Sequence, residues 1–469
     1  MTSVCAMWFR VGSVALIGFI AFEAFAVGTV LPRAAAQLHS TAEYSLAFGI
    51  QFAATIVAVA AAGPWVDRAG VRAPLLAGGV LFAAGLTVVG CAPTMTVLAA
   101  GRAVQGAGGG LLSVVLYAMA GRLITADARP RLFAAFSAAW VLPSLVGPAL
   151  AGLAADTIGW RWVFLALAPL SLLATAATLR ATVGLDEGAY RSDPAPTGRL
   201  VLPAAVAAGS TTVLQFAAPH AGADFLALSL GCLAIAAVAT RRLLPPGTLR
   251  GAPGLPAVVL MNLLVAGGYF AAEVYLPLYL VSAKGMSPFA AGSVLTGAAL
   301  AWAAAAALQG RVPDRGRARH RAALLGCGIV AVTLVGVAGC LAVSAPWPVV
   351  FVMWAAGGFG MGLAYPSASV LVLSLSTDRE QGAGSGALKL AEAVGTTVTI
   401  ALSGAVFAPF ARAAAAEPAS ATGFAATMAV PVVSAVFAAV VATRLRPGGR
   451  SPTPTPPSRR RSRRPRMPG

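Results

Sequence analysis

The chain reads as a succession of long apolar runs broken by short polar turns. Runs of about 18 or more apolar residues recur from one end to the other, and each is long enough to cross the hydrocarbon core of a bilayer. Backbone groups in lipid must be hydrogen-bonded within the structure, so each run is expected to be a helix. Alternating segments of about ten residues, the mark of a membrane β-barrel, are not visible. Fourteen spans are predicted, at about 11–32, 45–66, 74–92, 95–120, 132–154, 161–180, 200–218, 223–240, 255–283, 287–310, 321–343, 347–376, 384–409 and 421–443. The seventh and eighth are short and closely connected, so a count of twelve stays open. The first run is expected to remain in the protein: it is too long for a signal peptide, lacks an Ala-x-Ala cleavage site and contains Glu23.

Composition agrees with this pattern. The chain is 58% hydrophobic and 10% charged, where a soluble domain carries about 25% charge, and its mean hydropathy is +0.82. The formal net charge of +18 is explained by topology. With the N-terminus inside and the chain alternating, only six of the 33 Lys and Arg fall outside cytoplasmic segments. Arg33, Arg161, Lys284 and Arg412 lie in outer loops, and Arg102 and Lys389 lie within spans. That bias follows the positive-inside rule, so no nucleic-acid partner is needed to account for it. The Pro/Ser/Arg-rich tail, with six arginines between Arg459 and Arg466, is expected to be disordered and to lie near anionic lipid. The five cysteines are scattered and read as packing residues.

A short polar string, Gly63-Pro64-Trp65-Val66-Asp67-Arg68-Ala69-Gly70-Val71-Arg72, separates the second and third runs. A related string, Gly310-Arg311-Val312-Pro313-Asp314-Arg315-Gly316-Arg317, follows about 250 residues later. Glu23 and Glu273 keep a similar interval, as do Gly106-Ala107-Gly108 and Gly358-Phe359-Gly360. Spans one to six therefore read as a duplicate of spans nine to fourteen. The expected organisation is a six-helix half at 1–182, an insert at 183–254 with two extra helices, a second half at 255–446 and a tail at 447–469. Two such halves with a site between them near the midplane is the plan of a secondary transporter. The halves have diverged: Arg102 corresponds to Trp354, and Gly147-Pro148 has no clear counterpart.

Four motifs carry a family resemblance. Gly63-x-x-x-Asp67-Arg68-x-Gly70-x-Arg72 resembles the loop 2–3 signature of the major facilitator superfamily, with Val71 where a basic residue is common. Arg102-x-x-Gln105-Gly106-x-Gly108 resembles its span-four motif. Pro143-x-x-x-Gly147-Pro148-x-x-x-Gly152 resembles its span-five antiporter motif, departing at Pro143 and Ala151. Gly159-Trp160-Arg161-Trp162-Val163-Phe164 is similar to the usual opening of span six. With fourteen spans the chain looks most like the bacterial drug:proton antiporter branch. The resemblance implies an all-α multi-pass membrane protein with the major facilitator fold. It also implies proton-coupled efflux of small amphipathic compounds, multidrug or antibiotic export, by alternating access in the plasma membrane, with both termini cytoplasmic. The proton gradient would be the energy source, with no cofactor and no metal. The partners would be a small-molecule substrate, protons and lipid, and the chain would act as a monomer. The alternative is a proton-coupled metabolite exporter or importer. A membrane-bound enzyme or receptor is disfavoured, because no metal cluster or nucleotide-binding loop is visible.

Physical reasoning assigns roles to these residues. Glu23 lies about 12 residues into span one and Arg102 about seven into span four from the opposite face, which places them at similar depth. Intramembrane charges are costly and rarely face lipid, so a pair is expected, with Gln105 one turn away adding a hydrogen bond. The pair reads either as a proton-coupling site or as a static tie between helices. Glu273 reads as a proton carrier, a cation-recognition site or a fixed polar contact. Lys389 and Glu392, three residues apart, are expected to pair on one helix face. Asp67, Arg68, Asp314 and Arg315 are expected to gate the cytoplasmic side, with Gly63 and Gly70 permitting a tight turn. Gly106 and Gly108 allow close helix approach, and Gly147-Pro148 is expected to bend span five. Phe22, Trp140 and Tyr365 are candidate cavity residues, together with Lys389 and Glu392.

Overall fold

A computed structural model describes residues 3–40, 43–124, 129–182, 199–218, 225–310, 316–376, 381–413 and 421–445. Fourteen α-helices make up nearly all of them: α1 (Ser3–Gln37), α2 (Tyr44–Ala69), α3 (Arg72–Gly90), α4 (Met95–Leu123), α5 (Arg129–Thr157), α6 (Arg161–Arg180), α7 (Val201–Ala217), α8 (Phe225–Leu243), α9 (Leu255–Ser282), α10 (Pro288–Gly310), α11 (Gly316–Ala342), α12 (Trp347–Leu375), α13 (Gln381–Ala413) and α14 (Ala421–Thr443). They stand on the fourteen apolar runs of the sequence. Twelve are long and apolar enough to cross a membrane. The other two, α7 and α8, have 17 and 19 residues. At 1.5 Å per residue these reach about 26 and 28 Å, just short of a ~30 Å hydrocarbon core.

Several hydroxyls inside the spans are satisfied locally. Thr55, Thr175 and Thr397 each donate to the carbonyl four residues back, at 2.9, 2.7 and 2.7 Å. No water is needed for them in lipid.

The duplication is visible in the packing. Within the first half, α4 packs on α2 and α3, α1 on α5 and α6, and α3 on α6. Within the second, α12 packs on α10 and α11, α9 on α13 and α14, and α11 on α14. Glycines set the closest approaches at equivalent points. A Cβ on Gly106 would stand 2.2 Å from the Gln51 carbonyl oxygen, and one on Gly358 would stand 2.1 Å from that of Ala298. Gly108 abuts the Phe82 backbone nitrogen and Gly360 the Gly326 carbonyl in the same way. These are the small-residue contacts that let membrane helices touch backbone to backbone.

The halves meet along two seams, α5 against α10 and α2 against α13. The insert is not between them. Helix α7 packs on α2 and α13, and α8 packs on α7 and α13, so the pair lies over the α2–α13 seam. At the α5–α10 seam, α1 of the first half packs on both helices, and no added hairpin is found there among the described residues.

The end of the bundle that holds the start of α1 and the Gly70 turn is called inner here, and the other end outer. The two central helices α1 and α9 are buried without interruption over 26–32 and 274–280, their outer segments. Towards the inner end, half-buried positions recur on both, among them Phe19, Phe22, Leu263 and Phe270. Burial along both is therefore continuous at the outer end and broken towards the inner end, and this half-buried stretch is called the inner opening.

The glycine contacts yield a stability prediction. Gly106→Ala and Gly358→Ala should each lower the melting temperature in detergent, by an overpacking cost of about 1–3 kcal/mol. Gly328→Ala, with open space around its Cβ position, should be neutral or stabilising by up to about 1 kcal/mol. Equal melting temperatures for all three would remove backbone contact as the determinant.

Candidate functional site

Glu23 and Arg102 form a buried ion pair, each residue 1% exposed. Arg102 Nη1 donates to Glu23 Oε1 and, at 3.0 Å, to Gln105 Oε1. Its Nη2 donates to Gln51 Oε1, and its Nε donates to the Ala47 carbonyl at 3.2 Å. Gln51 Nε2 donates to the second carboxylate oxygen of Glu23 at 3.3 Å. Both oxygens of the acid and four of the five guanidinium donors are thus engaged. A buried pair is tolerable only with this degree of satisfaction, and removal of one partner strands the other. The Gln105 amide nitrogen has no partner among the described residues. Gln51 went unremarked in the sequence, although an amide midway along a membrane span is itself a costly group.

Glu273 does not join this network. It is half-buried and has no hydrogen-bond partner among the described residues. Over 265–280 of α9 every residue is buried except Phe270 and Glu273. These two lie three apart on one face, where the helix looks into the inner opening. In the second half, the position of Arg102 is filled by Trp354, which stacks on Tyr269 with centroids 4.7 Å apart and planes 11° apart. A stacked aromatic pair replaces the ion pair.

The antiporter-like motif lies on the α5–α10 seam. Gly147 faces Phe22, 3.5 Å from its Cβ position, and Phe25. Further along α5, a Cβ on Gly292 would meet the Pro148 carbonyl at 2.7 Å, and one on Gly152 would meet Phe289 Cα at 2.5 Å. Pro143 is buried, while Trp140 is exposed and packs edge-on to Phe25 at 6.4 Å. The outer end of this seam carries a charge tie. Arg33 Nη1 donates to Asp156 Oδ1 at 2.6 Å, and the other oxygen accepts from the Phe289 backbone N–H at 3.4 Å. Asp156, at the end of α5, thereby joins its own half to the first turn of α10, where a negative charge is favoured. On the opposite seam, Tyr44 donates to the Val274 carbonyl at 2.9 Å, and Ser45 fits against Gly404. None of Arg33, Asp156 and Tyr44 stood out in the sequence.

One expectation about the Gly63–Arg72 string is corrected. Gly63 does not make a turn: α2 runs on to Ala69 and carries Gly63, Pro64, Asp67 and Arg68 within it. Helical hydrogen bonds do not stop where the membrane does, and Arg68 in the last turn suits the negative end of the helix dipole. The turn is confined to Gly70, whose φ of 76° suits a residue without a Cβ, and Val71. Arg72 donates to Thr182 Oγ1 at 3.1 Å and to the Thr182 carbonyl, tying the start of α3 to the end of α6 within one half. Asp314 and Arg315 lie outside the described residues. Arg319, 247 residues after Arg72, donates to Gln309 Oε1 at 2.6 Å. Applying the interval between Asp67 and Asp314 to Arg72 would have found it.

Lys389 and Glu392 pair at 2.9 Å on α13, and both reach the Tyr365 hydroxyl on α12.

Two packed six-helix halves with a buried intramembrane ion pair follow the plan of a multi-pass secondary transporter. The family model of the Major Facilitator Superfamily matches residues 14–339, and the chain belongs to that superfamily. It is 32% identical to the drug efflux pump JefA of Mycobacterium tuberculosis over 177 residues, covering 36% of this chain and 32% of that one. It is 23% identical to the multidrug transporter protein MdtP of Bacillus subtilis over 299 residues, covering 61% and 54%. The chain thus spans between a third and about half of the length of these curated relatives. Among solved structures, an auto-inhibited peptide transporter of the POT family superposes with a TM-score of 0.66 at 16% identity, covering 93% of this chain and 96% of that one. That likeness is one of fold.

The outer tie is testable. With spin labels at the exposed outer positions Ile158 and Val343, Asp156→Ala should raise the long-distance population. A half-exposed pair contributes up to about 1 kcal/mol, so a shift of up to about fivefold is expected. An unchanged distance distribution removes Asp156 from the closure.

Proposed function

We propose that this protein is a proton-coupled exporter of small amphipathic compounds, with its inner end and both termini in the cytoplasm of a cell whose plasma membrane it spans. The observation that carries this reading is the buried Glu23–Arg102–Gln51 network, in which both oxygens of the acid accept hydrogen bonds. With the molecule open inward, Arg102 occupies Glu23 as an ion pair. Reopening to the outside would draw α4 away from α1, and the stranded carboxylate would then take a proton from the outer medium. Closing the outer end would return Arg102 to Glu23 and release that proton inward. Such a cycle uses the gradient as the energy source and needs no cofactor. Glu273, facing the opening from the other half, is placed to serve as a second proton carrier or as a contact for substrate.

The export direction and the drug-like substrate class are drawn from relatives named as a drug efflux pump and a multidrug transporter. The Asp156 tie and the α5–α10 seam supply the outer gate. Asp67, Arg68 and Arg72 with Asp314 and Arg315 are assigned to the inner one. The monomer contains both halves of the proposed pathway, and the basic tail is assigned to the anionic cytoplasmic leaflet.

In proteoliposomes with an imposed pH gradient, Glu23→Gln should abolish gradient-driven transport and leave substrate exchange without a gradient. The amide keeps one of the two hydrogen bonds the acid accepts and cannot cycle a proton. Gradient-driven transport at the wild-type rate in that variant would remove Glu23 from coupling.

A further inference from the structure

An aromatic ladder runs along the second half's side of the opening. Phe270 on α9 lies 6.3 Å from Trp302 on α10, and Trp302 lies 5.8 Å from Tyr365 on α12, centroid to centroid. All three are half-buried. Buried Tyr269 and Trp354 back them, with Tyr269 5.9 Å from Trp302. At the deep end, Glu273 stands one turn beyond Phe270. At the inner end, Lys389 Nζ sits 5.5 Å from the Tyr365 ring centroid and donates to the Tyr365 hydroxyl at 2.8 Å and to Glu392 Oε2 at 2.9 Å.

The two members of this charge pair are not equally placed. The Lys389 side chain is 62% exposed, against 19% for Glu392. Glu392 Oε2 is occupied by both the Tyr365 hydroxyl and the ammonium. An ammonium has three donors, so one N–H of Lys389 remains without a partner among the described residues. A membrane span does not hold a lysine in this exposed setting cheaply, and its stem is not drawn back among the helices.

Helices α9 and α13 run side by side in a nearly constant register. Asn262 Nδ2 donates to the Leu388 carbonyl, Gly267 abuts Gly395, and Gly404 lies against Tyr275. That register sets Lys389 about 11 residues from Glu273 along the axis, roughly 16 Å. The ladder fills this interval with ring faces and edges.

The geometry points to Lys389 as a specificity-determining residue that selects elongated aromatic compounds bearing a carboxylate or similar anionic group. The anion takes the open N–H of Lys389 in a charge-assisted hydrogen bond. The aromatic body lies along Tyr365, Trp302 and Phe270, and Glu273 receives a donor at the far end. Glu392 holds the ammonium in place and repels a second anion, while Tyr365 orients both. This assignment rests on the transport reading above for its physiological meaning, but binding alone tests it.

A matched pair of probes separates charge from shape: 6-(dansylamino)hexanoate and dansylcadaverine carry the same ring on a similar chain, ending in a carboxylate or an amine. Binding to the reconstituted full chain is read by energy transfer from tryptophan to dansyl, with no proton gradient. Wild type should bind the carboxylate about tenfold more tightly than the amine, a typical contribution of one charge-assisted contact. Lys389→Gln should abolish that preference without weakening the amine, and Lys389→Arg should retain it. Glu392→Gln should leave the carboxylate bound as tightly or more so. Equal affinity of the two probes in wild type, or equal loss of both in Lys389→Gln with an unchanged melting temperature, overturns the proposal. If Lys389→Gln fails to fold, the wild-type preference and its retention in Lys389→Arg decide. Gradient-driven flux of the same probes is measured separately: intact preference without flux counts against proton-coupled transport alone, and flux without preference counts against Lys389 alone.

Discussion

An arginine cannot stand alone in the hydrocarbon core, and the first half of this molecule is arranged around that constraint. Arg102 needs an acid, and Glu23 supplies it from α1. It also needs oxygens for its remaining donors, which the Ala47 carbonyl, Gln51 and Gln105 provide. These groups come within reach because Gly106 and Gly110 lack side chains and let α4 lie directly on α2. The small residues and the charged ones are thus parts of one arrangement. The repeat in the second half keeps the glycines, at Gly358 and Gly362, but carries Trp354 in place of the arginine. With no charge to satisfy, the same close approach encloses a stacked pair of rings, and the acid at 273 is released to face the opening.

This division of labour explains why duplicated halves need not behave alike. One half holds its charge in a sealed network whose breakage is costly, which suits a group that must exist in two discrete states. The other presents a half-buried acid, a row of rings and an exposed ammonium, which suits contact with a variable partner. The outer closure draws on both. Asp156 binds an arginine of its own half and the helix start of the other, and Tyr44 crosses to the Val274 carbonyl.

Much of this was legible in the sequence, for reasons that differ by residue. Hydrophobic runs locate helices because lipid leaves the backbone no other option. Depth arguments place Glu23 beside Arg102 because a helix rises by a fixed amount per residue and unpaired charges are too costly to leave. Gln51 escaped because the depth argument concerns charges alone, although a buried neutral amide is costly too and this one completes the network. Gly63 was misplaced because glycine and proline signal turns in water, while α2 runs through both, with open space at the Gly63 Cβ position and the proline's missing N–H tolerated. Asp156 and Tyr44 escaped because contacts between halves join residues more than a hundred positions apart with no shared local pattern. The relative exposure of Lys389 and Glu392 depends on how α12 packs beside α13, which no one-dimensional pattern records.

The α7–α8 pair gives the molecule two unlike flanks. One seam between the halves, α2 against α13, is shielded from acyl chains by an added hairpin. The other, α5 against α10, has no such hairpin among the described residues, and Gly152 and Gly292 bring its two backbones together with little side-chain bulk between them. A compound approaching the halves through the bilayer would thus find the two flanks unequal, a hairpin on one side and a thin, glycine-lined join on the other.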